Sequence, residues 1–90
     1  MNEQQTDSAI AFPCQFPIKA MGKTSPMLDV VIVEIIRRHV GEIAPESITS
    51  RPSKNGKYTA VTITIEATNR KQLDAIYQDL TDHPEVIMAL

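Results

Sequence analysis

A chain of 90 residues with 42% hydrophobic and 22% charged content makes one folded domain and excludes a disordered chain. Two domains of half that length would each lack room for a core. The formal net charge of −2 excludes the basic surplus that nucleic acid or anionic lipid rewards, and the single cysteine, Cys14, closes no internal disulfide, which points to a reducing compartment.

The opening stretch "MNEQQTDSAI" is polar and slightly acidic, which is not the pattern of a signal peptide. Residues 1–11 carry neither a helical nor a strand period and read as a mobile tail ahead of a domain over residues 12–90. No apolar run approaches the ~20 residues that cross a bilayer, so no membrane contact is expected and the location reads as cytoplasmic.

Gln15–Gly22 alternates, with Phe16, Ile18 and Ala20 on one face, and reads as a strand. Pro17 lies inside it, so its missing N–H must face away from a partner or sit at a bulge. A helix follows, with Ser25 as N-cap, Pro26 in the first helical position and Asp29 near the positive end of the dipole. Gly41 stops it, because glycine takes positive φ without a Cβ penalty. Leu28, Val31, Ile32, Ile35 and Ile36 form its apolar arc, while Glu34, Arg37 and Arg38 face water and Val30 falls outside the arc.

Glu46–Arg51 reads as a second strand running up to Pro52. Asn55-Gly56 is the signal of a two-residue type I′ hairpin, in which both central residues need positive φ. Lys57–Ala67 then forms a third strand, with Val61, Ile63 and Ile65 turned to the core. Asn69 with Gln72 three positions later is a capping-box spacing, and it opens a helix striped by Leu73, Ile76, Tyr77 and Leu80. His83-Pro84 ends that helix, and Glu85–Leu90 closes the chain as a short strand. The order β-α-β-β-α-β with right-handed crossovers predicts an α+β, ferredoxin-like fold: a four-stranded antiparallel sheet with two helices on one face. The other face is left open.

Few residues suggest chemistry. Cys14 has no helix N-terminus or basic cluster beside it to favour the thiolate, and reads as inert. His39 and His83 lack ligand-spaced partners and read as side chains that complement helix C-termini. The loop "GKTSPM" has no arginine to cradle an acyl phosphate. The residues therefore assign no catalytic group, no metal and no cofactor, and the chain reads as non-enzymatic. What they do offer is a surface. Lys19, Met21, Gly22, Tyr58, Ala60, Thr62 and Thr64 mark a sheet face neither strongly charged nor strongly apolar, suited to a protein partner, a second copy or a small metabolite. Gly22 is placed there because its backbone admits close approach. The alternative is a nucleic-acid module using Lys19, Arg51, Lys54, Lys57 and Tyr58, which a single aromatic equips poorly for stacking bases.

From Phe12 onward the chain resembles the YbeD family of small bacterial proteins. The resemblance rests on Phe12-Pro13, Phe16, Lys19 and Met21-Gly22 at the start, then His39, Ser53-Lys54, Gly56, Tyr58 and Val61. Its most specific part is the ending: Gln72-Leu73-Asp74, Ile76-Tyr77, Leu80, His83-Pro84, Val86, Met88 and Leu90. It implies a ferredoxin-like fold similar to the ACT-type regulatory domains that bind small ligands. Some family members are labelled lipoic-acid-binding regulators, so the resemblance implies a regulatory role related to lipoate. The Asp-Lys-Ala hairpin that carries lipoyl groups is absent from this chain.

Overall fold

A computed structural model describes residues 11–90; the tail expected over residues 1–11 lies almost wholly outside them. The chain enters through a cis Phe12–Pro13 peptide into β1, Cys14–Lys23. Helix α1 spans Leu28–Val40, β2 Ile48–Pro52, β3 Tyr58–Ala67, α2 Arg70–Asp82 and β4 Met88–Ala89. The strands lie in the order β2-β3-β1-β4, every neighbour antiparallel, which is the predicted α+β arrangement.

The sheet is organised around β1 and β3, which pair in unbroken register from Cys14↔Ala67 to Lys23↔Tyr58. Because side chains alternate along a strand, this register puts Ile18 and Ala20 beside Ile63 and Val61 on the core face. All four are buried, and α1 and α2 cover them with Leu28, Ile32, Ile35, Ile36, Leu73, Ile76 and Leu80. The apolar arc expected for α1 is the buried one, and Val30 lies outside it at 52% exposure. Phe12, Phe16, Ile48 and Tyr77 close the margins of this core.

Proline occupies one outward-facing position on each side of the sheet, Pro52 on the edge strand β2 and Pro17 on the stretch of β1 that β4 leaves uncovered. Lys19 exchanges backbone hydrogen bonds with Leu90, and Met21 accepts from Ile87, so the odd-numbered residues of β1 turn their peptide groups toward β4. Pro17 shares that side, beyond the end of β4, and its missing N–H costs no ladder bond. On β2 the same alternation turns Pro52 outward. These prolines disfavour strand addition along β2 and beside Pro17, while β4 offers an edge of only two regular residues.

Several local expectations need correction. Helix α1 begins at Leu28 rather than at Pro26, because Ser25 Oγ accepts the Met27 N–H two residues on and closes a turn instead of capping a helix. Glu46 and Ser47 belong to a short 3₁₀ turn, Pro45–Ser47, and the second strand starts only at Ile48. The hairpin is not a two-residue type I′ turn. Gly56 alone takes positive φ (75°), and the loop is closed by Gly56 N–H to the Ser53 carbonyl, Ser53 N–H to the Tyr58 carbonyl and Lys57 N–H to Asn55 Oδ1. An asparagine that satisfies the loop through its side chain need not enter the left-handed region. The strand expected over Glu85–Leu90 is regular only at Met88–Ala89, since Pro84 and the turn around His83 occupy its start.

The helix ends follow their signals more closely. Gly41 sits at φ 81°, and its N–H reaches the Arg37 carbonyl. Asn69 Oδ1 accepts the Gln72 N–H at 2.8 Å, while Gln72 Oε1 reaches back to the Thr68 N–H at 2.8 Å, a capping box displaced by one residue. Gln72 also donates through Nε2 to the His39 carbonyl, tying the start of α2 to the end of α1.

His39 does more than complement a dipole: its Nε2 donates to Asp79 Oδ2 at 2.6 Å across the two helices. His83 acts as a turn residue, with Nδ1 accepting the Glu85 N–H and its own N–H donating to the Leu80 carbonyl. The turn brings the Glu85 carbonyl over Gly22, which faces the core side of β1. A Cβ at Gly22 would overlap that oxygen and press on Leu28 Cδ1 at 2.7 Å. Gly22 is therefore buried beneath the chain's own backbone and is no part of the open surface on which the sequence placed it.

Two outcomes test this packing. Gly22→Ala lowers unfolding free energy by about 2 kcal/mol, the scale of overpacking against backbone, when measured by urea denaturation; an unchanged midpoint means the approach is slack. His39→Ala and Asp79→Ala each cost about 1 kcal/mol, and the double variant costs less than their sum. Strictly additive losses refute the coupling.

Candidate functional site: the open face of the sheet

With both helices on one side, the other side of the sheet carries the odd-numbered residues of β1 and the even-numbered residues of β3. Lys19, Met21, Tyr58, Ala60, Thr62 and Thr64 all lie on it, so the structure brings together every residue of the sequence-read surface except Gly22. The ladders extend the rows outward. Met88 stands beside Met21, then Ala60, then Arg51; Leu90 stands beside Lys19, then Thr62, then Thr49.

The face has two halves. Toward β4 it is apolar, with Met88 47% and Leu90 64% exposed next to Met21. Toward β2 it is polar: Lys19, Thr49, Ser50, Arg51, Ala60 and Thr62 line a groove of about 420 Å³. Its shape follows from side-chain length. Ala60 and Thr62 on β3 are short and make a floor, while Lys19 and Arg51 on the flanking strands stand as walls. Sequence reading placed Arg51 only in the nucleic-acid alternative; it could not see that the β2–β3 register sets Arg51 beside Ala60.

Tyr58 is not a bare stacking platform, because Lys57 Nζ sits 5.6 Å from the centre of its ring. A second hollow, of about 570 Å³, lies at the opposite end of the sheet, where Gln15, Glu42, Thr64, Glu66 and Gln72 surround His39. His39 is engaged there by Asp79 through its Nε2, and Glu42 and Glu66 are the carboxylates that line the hollow. Cys14 is half-buried at the start of β1. Among the described residues no group of three or more His, Cys, Asp or Glu side chains could hold a metal ion. No helix among them is long and apolar enough to cross a membrane.

Comparison with known proteins agrees on family and fold. A family model described as a protein of unknown function, DUF493, matches residues 7–90. A UPF0250 protein of Paraburkholderia phymatum is 49% identical over 93% of this chain and 94% of its own length. One of Neisseria gonorrhoeae is 41% identical over the whole of both chains. The solution structure of protein HP0495 from H. pylori superposes with a TM-score of 0.69 at 18% identity, covering 90% of this chain and 85% of that one, which supports the fold alone. On these matches the chain belongs to the DUF493 family, the UPF0250 or YbeD-like group that its motifs resemble.

Proposed function

We propose that this protein is a non-enzymatic regulatory or interaction domain, ACT-like in its architecture, that works through the open face of its sheet. One observation carries the reading. The helices cover one side of the sheet only, and the uncovered side sets the short side chains of β3 between Lys19 and Met21 of β1 and Arg51 of β2, with exposed Met88 and Leu90 on the far flank. An exposed apolar strip beside a polar groove is the composition of a contact surface with an apolar centre and a polar rim.

A distinct protein partner suits this face better than a second copy. The face carries Lys19, Lys23 and Arg51 against Glu66 alone, so a second copy offers it no complementary charge, whereas an acidic partner does. Edge-to-edge association along β2 meets Pro52, and β4 offers only two regular residues to pair. A small metabolite in the polar groove is compatible with a partner on the apolar half, which is the arrangement a regulatory domain needs.

The test is native affinity capture of the full chain beside its Met88→Asp variant, with sedimentation velocity on both. The reading expects a captured partner whose yield falls about tenfold in the variant while the unfolding midpoint stays unchanged. Capture indifferent to Met88→Asp overturns it. A dimer that Met88→Asp dissociates would make the occupant a second copy.

A further inference from the structure

The net charge of −2 conceals a segregation. The strands and the hairpin loop carry Lys19, Lys23, Arg51, Lys54 and Lys57 against Glu66 alone, whereas carboxylates outnumber cations in the helices and their connections. An acidic chain thus keeps most of its strand-borne charge positive, and on its uncovered side. Glu66 stands at the far end of β3, opposite Gln15.

Within that face the groove concentrates the charge. Lys19 and Arg51 rise from β1 and β2 on a diagonal, two strand spacings across and two residues along, about 12 Å apart at the backbone. Their cross-strand neighbours on β3, Thr62 and Ala60, are neutral, and among the described residues no ion pair engages either cation. Two unneutralised cations facing each other over a floor of short side chains attract an anion that neither would hold alone. The hydroxyls of Thr49 and Thr62 stand on the same face and can donate to oxygens that the cations leave unserved. Its volume, about 420 Å³, falls in the range of roughly 300–1,000 Å³ that small ligands occupy.

We propose that this groove binds a small dianion of carboxylate or phosphate type, one anionic group held by Lys19 and the other by the guanidinium fork of Arg51. Arginine supplies the bidentate contact, and lysine supplies a point charge on a flexible stem that adapts to the ligand's length. The proposal rests on the sheet face being the working surface, and it names what the polar half of that face receives. A nucleic acid would meet the same cations, but it finds Tyr58 as the lone aromatic side chain on the open face of the strands, with Lys57 already against its ring.

The test is a heteronuclear NMR titration of the full chain, at fixed ionic strength, with succinate in one arm and inorganic pyrophosphate in the other. The expected result is saturable shifts confined to the amides of Lys19, Thr49, Arg51, Ala60 and Thr62 with at least one of the two. The arm that saturates separates carboxylate from phosphate. Lys19→Gln and Arg51→Gln, both at exposed positions, each weaken that binding about tenfold, and Lys71→Gln on α2 leaves it unchanged. Absence of saturable shifts in both arms overturns the proposal, as do shifts that survive both substitutions. Stronger binding of a short oligodeoxythymidylate than of either anion also overturns it, in favour of nucleic acid. The titration involves no protein partner, so its failure leaves the Met88 result standing, and a failed capture leaves the groove standing.

Discussion

The ladder between β1 and β3 is the constraint on which the rest of this structure depends. Ten consecutive residues of each strand pair without a bulge, from Cys14↔Ala67 to Lys23↔Tyr58. A strand shows one face per alternate residue, so this single register decides at once which side chains form the core and which form the open face. A slip of one position would turn Val61, Ile63 and Ile65 to water and bury Thr62, Thr64 and Glu66. The short flanking strands, β2 and β4, are positioned by this pair rather than by their own length.

What surrounds the ladder is matched to it by small residues and a few directed polar contacts. Gly22 and Ala20 leave room on β1 for the Glu85 carbonyl and for Ala89, which lets a strand of two regular residues dock at the edge. On the other side of the core, the helices are joined at one end by Gln72 reaching the His39 carbonyl and by His39 reaching Asp79. These bonds set how the helices lie on the sheet. They also engage His39, the histidine beside the hollow at that end of the sheet, through its Nε2.

The functional reading rests on division of labour across the sheet. One side is closed by helices whose surface is acidic on balance; the other is uncovered, apolar toward β4 and cationic toward β2. Pro52 on β2 and the shortness of β4 disfavour strand addition at the edges, and the open face is the broad uncovered surface of the sheet. Within the DUF493 family, this chain is a small α+β domain whose helices leave one face of the sheet uncovered.

Much of this was legible in the residues themselves, since it depends on local rules. The period of two in Phe16-Ile18-Ala20 and Val61-Ile63-Ile65, the stop at Gly41 and the cap at Asn69 each act within a few positions of the chain, and the antiparallel ferredoxin-like order follows from them. Local rules failed where two turn solutions compete, as at Ser25 and at Asn55, because the side-chain hydrogen bond that wins depends on where the chain goes next. The sequence by itself determined the elements, the core face and most of the open face. Only the tertiary structure decided that Gly22 lies under Glu85, that His39 meets Asp79, and that Lys19 and Arg51 wall one groove. Each of those joins residues far apart in the chain, and their separation in space is set by strand register and helix packing, which no local pattern encodes.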